Sequence, residues 1–197
     1  MRKTPVALAT ITVLAFSMTA CSNDSSNNGN SGTGATSGQA GDGAHDSSAS
    51  SQLYEVVAAT APADAKTGDS ATLRFGDTFR WDDGFAVYVG EPQTFDPSPD
   101  AFVQYPDETP LTFDMIFYNG SSESWDSRNL VAAGYGGGMD CHGILDETQG
   151  IGGLTDLPTV PAGMALKLKM GITTSDPSHL KFMAAATSSE TRTWSNY

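Results

Sequence analysis

The sequence predicts an all-β chain, an antiparallel β-sandwich behind a disordered tether. Three observations carry this. Several segments alternate apolar and polar residues with a period of two, as strands with one wet face do. Pro, Gly, Asn and Asp punctuate those segments at turn spacing. No window of helical period competes over a comparable length.

Taken in order, Thr72–Phe75 and Thr78–Trp81 read as short strands split by Gly76-Asp77. Asp82-Asp83-Gly84 is a turn signal, because Asp and Gly tolerate the positive φ of a tight hairpin. Phe85, Val87 and Val89 then share one face. Pro92, Pro97, Pro99, Pro106 and Pro110 mark a long loop that cannot be a central strand. Leu111–Tyr118 is the clearest strand, with Leu111, Phe113, Met115 and Phe117 opposite Thr112, Asp114, Ile116 and Tyr118, and it stops at Asn119-Gly120. Leu130–Tyr135 is another, ending in Gly136-Gly137-Gly138. Gly143–Gly153 is glycine-rich and acidic and reads mostly as loop, with a short pairing near Ile144-Leu145. In Met164–Ile172 the residues Leu166, Leu168, Met170 and Ile172 alternate with Lys167, Lys169 and Gly171. Asp176-Pro177 makes a turn, His179–Ala186 a last firm strand, and Thr191–Trp194 closes the sheet. Seven or so short strands with such turns imply an immunoglobulin-like sandwich. Its expected span is 71–197. Leu53–Val57 is a small apolar island that fits either an edge strand or a short docking helix.

Ahead of the domain, Arg2 and Lys3 precede a short apolar run, Val6–Phe16, and then Ser17-Met18-Thr19-Ala20-Cys21. The run is about half the roughly 20 residues a transmembrane helix needs. An ordinary signal-peptide cut after Ala20 would want a small residue where Met18 stands. The pattern is that of an export signal over 1–20 ending in a lipobox, with Cys21 the residue to be lipidated. A diacylglyceryl group supplies two acyl chains, enough for stable anchoring where one is marginal. From Ser22 to Gln52 there is no large apolar residue. Such Ser/Asn/Gly composition cannot bury enough surface to offset chain entropy. Residues 21–70 are therefore expected to be a lipidated cysteine and a flexible linker spanning roughly 30 Å. The expected location is the extracytoplasmic face of the cell membrane.

The formal net charge is −13. Loss of Arg2 and Lys3 with the signal leaves eight basic against 23 acidic residues, a net of −15. That excludes nucleic acid as an expected partner, and attraction to anionic lipid surfaces as well. It favours a soluble monomer. With Cys21 acylated, Cys141 has no partner in the chain, so the fold must hold without a disulfide.

Few residues suggest chemistry. Met139-Asp140-Cys141-His142 is a local cluster, but adjacent residues of a strand point to opposite faces, and zinc would need two more ligands. Cys141 as a nucleophile would need His142 or His179 beside it; the expected reading is a half-buried structural thiol. Asp82, Asp83, Asp96, Asp100, Asp107, Glu108, Asp146 and Glu147 fall in turns, and none forms a calcium-loop pattern. The Gly134–Gly138 run lacks the Lys-Ser/Thr of a phosphate loop, and no Gly-x-Ser-x-Gly occurs. No catalytic set, cofactor or metal site is expected. Trp125 is the one aromatic in a polar stretch, Ser-Ser-Glu-Ser-Trp-Asp-Ser-Arg. Exposed beside Arg128 it would be a recognition spot; otherwise it plugs the end of the sandwich. Trp81 and Trp194 read as packing residues.

Gly76–Val87, with its Gly-Asp-Thr start, resembles the opening of an immunoglobulin-like domain of unknown function found in actinobacterial secreted lipoproteins. Phe117-Tyr118-Asn119-Gly120, Val160-Pro161-Ala162-Gly163-Met164-Ala165 and Asp176-Pro177-Ser178-His179-Leu180 match that group's later motifs in order. The group is similar to a secreted immunoglobulin-like antigen group of mycobacteria. The resemblance covers Ala71 to the C-terminus and implies an antiparallel sandwich and an envelope location. It implies no assigned activity and names no site residue. The expected function is non-enzymatic presentation of the sandwich to an envelope protein or wall component. The alternatives are an accessory solute- or calcium-binding lipoprotein and, less favoured, an envelope hydrolase.

Overall fold

A computed structural model describes residues 53–69, 71–186 and 190–197. In chain order its strands are β1 (Tyr54–Ala58), β2 (Leu73–Arg74), β3 (Thr78–Arg80), β4 (Phe85–Val89), β5 (Gln93–Thr94), β6 (Phe102–Val103) and β7 (Thr109–Asn119). There follow β8 (Val131–Gly136), β9 (Met139–Asp140), β10 (His142–Leu145), β11 (Met164–Thr174), β12 (Leu180–Ala185) and β13 (Arg192–Ser195). They form an eight-stranded sheet ordered β3-β4-β7-β11-β10-β6, with β1 on β11 and β5 on β7, and a five-stranded sheet ordered β2-β13-β12-β8-β9. The two sheets pack face to face as the predicted sandwich.

The alternation read in the sequence sets this packing. β7 and β11 pair antiparallel from Thr109↔Thr174 to Tyr118↔Ala165, and β4 lies on the other side of β7 from Phe85↔Asn119 to Val89↔Met115. Leu111, Phe113, Met115 and Phe117 therefore join Leu166, Leu168, Met170 and Ile172 on one buried face. Phe182 of β12 meets Phe113 edge to face at 4.8 Å, joining the two sheets. Each such side chain contributes about 1.5–3 kcal/mol by leaving water, so no disulfide is required. Gly84 (φ +93°) begins β4 where the backbone of Gly120 passes; a Cβ on Gly84 would lie 2.7 Å from the Gly120 carbonyl oxygen. Only glycine fits that crossing.

The structure corrects three expectations. The folded part begins before Ala71, because Tyr54–Ala58 pairs along β11 from Tyr54↔Leu168 to Ala58↔Met164; Val56 packs on the core, which a linker has no reason to do. The sheets are antiparallel as expected, with one two-residue exception: β2 runs parallel to β13, where Trp194 is fully buried and donates its indole N–H to the Asp77 carbonyl at 3.0 Å. β7 starts within the proline-rich stretch, and Pro110 lies opposite Thr173 near the strand's end. Finally, Gly143–Gly153 holds the short pairing expected near Ile144-Leu145 and, beyond the expected loop, a second contact with the sheet at Ile151. Ile144 pairs with Gly171, and Ile151 bridges to Lys169. Both isoleucines are buried over Gly171, whose missing side chain makes the room. Gly137 and Gly138, both at positive φ, turn β8 tightly into β9. The signal, Cys21 and the linker to Gln52 lie outside the described residues.

Candidate functional site

The larger sheet has a second face, turned away from its partner, which the strand registers assemble into rows. One row runs Glu55–Lys167–Ile116–Tyr88–Thr78 across β1, β11, β7, β4 and β3. The row above it holds Ala165, Tyr118 and Ala86, and the row below it Lys169 opposite Asp114. The ends of this face are covered. The segment after β1 closes one end, where Arg80 donates to the Ala61 and Pro62 carbonyls at 3.1 and 2.6 Å. Ile144 and Ile151 cover the other.

Between them lies an open groove of three adjoining hollows, of about 490, 450 and 280 Å³. The first two share Asp114 and Lys169, the last two share Tyr88, and Ile116 joins the first to the third. Tyr88, Ile116 and Tyr118 are half-buried, whereas Asp114 and Lys169 are exposed. Burial raises the Tyr118 hydroxyl above its ordinary pKa, and Tyr88 adds to this, so both donor and acceptor functions are present at neutral pH. Opposite charges neutralise one another here: Lys167 stands 3.7 Å from Glu55, and Lys66 pairs with Asp77 at 2.6 Å. Among the described residues, the side chains of Asp114 and Lys169 have no hydrogen-bond or ion-pair partner. The alternation marked these positions as the wet side of two strands; that they form one groove follows only from the registers.

Trp125 is not a surface recognition residue. It is 5% exposed and lies against Phe117 and Phe85 at 5.9 and 5.7 Å, its indole N–H donating to the Ala186 carbonyl at 2.7 Å. Its own backbone pairs with Val160 in both directions at 2.8 Å. Ser122, Glu123, Ser124 and Arg128 around it are exposed and Ser127 is buried, while the ring closes one end of the core. Arg128 is separated from it in role: its exposed guanidinium pairs with Asp126 at 2.6 Å. The structure brings no Trp–Arg recognition pair together. Trp81 is half-buried and meets Phe79 edge to face at 5.0 Å.

Cys141 lies between β9 and β10, and its side chain and that of His142 have different neighbours. Cys141 is free and half-buried beside Gly134. Burial pushes its thiol pKa up, a Thr174 hydrogen bond opposes this, and the Glu108 and Asp140 carboxylates reinforce it. A thiol held protonated is a poor nucleophile. His142 lies against Tyr105 with ring centroids 3.9 Å apart and planes tilted by 37°, and its Nδ1 lies 3.7 Å from Glu108 Oε2 with both atoms buried and lacking a hydrogen-bond partner.

Asp146 is not a solvated turn residue. It lies just beneath the surface, 1% exposed, and accepts hydrogen bonds from the Ser98 N–H and hydroxyl at 2.8 and 2.7 Å and from Gln149 Nε2 at 3.0 Å. Burial pushes its pKa up, but the bonds from Ser98 and Gln149 outweigh burial and hold it below the usual carboxylate range. It ties the proline-rich loop to the insert. Asp176, Ser178 and His179 place three catalytic residue types together, yet Ser178 donates to Asp176 at 2.6 Å and His179 Nδ1 lies 2.9 Å from the same carboxylate. This is the cap of a short 3-10 turn at Pro177–His179 rather than a relay, which needs the base between hydroxyl and carboxylate. Among the described residues, no three His, Cys, Asp or Glu side chains converge as a metal site.

No family model matches the chain, and no curated protein matches it. Among solved structures, the chain is similar over 56% of its length to the Bacillus subtilis protein ycdA, described as a lipoprotein, with a TM-score of 0.42 and 11% identity. It spans 35% of that protein's length. It is also similar over 68% of its length to the whole of an uncharacterized β-sandwich protein from Clostridium difficile 630, with a TM-score of 0.38 and 4% identity. Likenesses this shallow carry no argument about what the chain does.

Proposed function

We propose that the chain is a lipid-anchored envelope protein, held by Cys21 on the extracytoplasmic face of the cell membrane. It presents its β-sandwich as a monomeric, non-enzymatic module that binds an envelope protein or wall component. The export signal and lipobox support the location, and the motif resemblance to immunoglobulin-like domains of actinobacterial secreted lipoproteins agrees with it. The observation that carries the binding role is the groove on the outer face of the larger sheet, where the strand registers set Tyr88, Ile116 and Tyr118 side by side and leave them half-buried along adjoining hollows. Net charge of −13 argues against nucleic acid. The raised thiol of Cys141 and the consumed hydrogen bonds of Asp146 and Asp176 argue against hydrolysis at those positions.

A photo-crosslinking residue placed at Ile116 in intact cells tests this, with one at Lys181 on the opposite sheet as control. The expected result is a discrete adduct from position 116 and none from 181. Adducts from neither position, in a protein that remains at the membrane, overturn the binding role. Release of the Cys21→Ser protein into the medium is expected from the anchor, and its retention at the membrane would contradict it.

A further inference from the structure

We infer that the outer-face groove is a subsite for an N-acetylated amino-sugar chain, a step that rests on the reading of that face as the binding surface. The groove offers two kinds of surface side by side. Tyr88 and Tyr118 sit on neighbouring strands, Tyr88 directly opposite Ile116 and so diagonal to Tyr118, which gives an apolar platform with hydroxyls at its edges. Beside it, Lys169 and Asp114 are directly opposed across β11 and β7, at the spacing of cross-strand neighbours.

That pair presents one donor and one acceptor, neither of them engaged among the described residues. An acetamido group has the matching pattern: its N–H donates to the Asp114 carboxylate and its carbonyl accepts from the Lys169 ammonium. The C–H face of the pyranose then lies on a tyrosine ring, as amphipathic rings pack on aromatic faces.

Other occupants fit less well. A polyanion meets a protein of net charge −13, a groove in which Lys167 and Lys66 are already offset by Glu55 and Asp77, and the Asp114 carboxylate beside Lys169. An apolar peptide would bury Asp114 and Lys169 unpaired, which is costly. A small solute would leave most of the groove empty, since hollows of about 490 and 450 Å³ adjoin at Asp114 and Lys169. A chain of uncharged sugars carrying acetamido groups fills the groove lengthwise and satisfies both charged side chains.

The test is calorimetric titration of the protein with the β-1,4-linked hexamer of N-acetylglucosamine and, separately, the glucose hexamer of the same linkage. The expected result is saturable binding of the first, about tenfold weaker for Tyr118→Ala, the equivalent of one aromatic contact. Asp114→Ala, an exposed position that leaves the fold unburdened, loses the preference over the glucose hexamer. Absence of binding to the acetylated hexamer, equal binding of both hexamers, or an unchanged preference in Asp114→Ala each overturns the assignment. If the hexamer fails while position 116 crosslinks to an envelope protein, the sugar assignment falls and the binding module stands. If both are silent, both fall.

Discussion

Two aromatic regions of this protein behave oppositely to their sequence surroundings. Trp125 sits among serines, acids and an arginine, yet its ring is sealed against Phe117, Phe85 and the Ala186 carbonyl. Tyr88, Ile116 and Tyr118 sit in the most strand-like segments of the chain, yet they face outward and remain half-buried over an open groove. Polarity of the neighbours therefore says where the backbone runs, and strand parity and register decide where a ring points. A surface residue chosen by the polarity of its stretch is a poor guide here; one chosen by its row on the sheet is a better one.

The contrast can be broken most forcefully at Trp125. Trp125→Ala is expected to lose about 3–5 kcal/mol of unfolding free energy in urea, the range for large aromatic truncations in cores; a loss near zero would place the ring on the surface. Next comes Asp146, where the buried acceptor serves Ser98 and Gln149. Asp146→Asn should cost about 1–3 kcal/mol, because donors are left facing an amide. Its native pKa is depressed, so its contribution is present above the unfolded-state value of about 3.9 and is lost as pH falls through the lower folded value. The stability gap between the native protein and Asp146→Asn is therefore expected to close in acid; a gap that widens there would be contrary. Tyr118→Ala sharpens the comparison from the other side. It should cost roughly 1 kcal/mol, less than a core ring, because part of the ring is already in water. Smallest is Arg128→Ala, expected to leave the urea midpoint unchanged, since its guanidinium is exposed and an ion pair in water contributes little. A large loss there would mean that the loop after β7 depends on Arg128.

Much of the sandwich was legible before its coordinates. Leu111–Tyr118, Met164–Ile172 and His179–Ala186 show the period of two because one face of each lies on the core and the other carries the more exposed residues. Phe85–Val89 puts Phe85, Val87 and Val89 on the core face, and the strands found at all four agree closely. β5 and β6 were hidden because two residues carry no period and proline surrounds them. β1 carries only five residues, and its partner β11 lies more than a hundred residues away. The groove was half legible. Thr112, Asp114, Ile116 and Tyr118 could be put on one side of their strand, and Lys167 and Lys169 on one side of theirs. Only the pairing of Lys169 with Asp114 and of Ile116 with Tyr88 makes them a single surface. Asp146 was misplaced because acidic residues near glycine usually lie in solvated turns, and Ser98, which claims its carboxylate, is 48 positions distant.

The measurement that most directly tests the contrast is hydroxyl-radical footprinting of the anchored protein on intact cells against the purified protein. Tryptophan is the more reactive ring, so accessibility and not chemistry must explain any protection it shows. Trp125 is expected to stay unmodified in both samples, while Tyr88 and Tyr118 are modified in the purified protein and protected on cells. Ready oxidation of Trp125, or equal modification of both tyrosines in the two samples, would contradict that contrast.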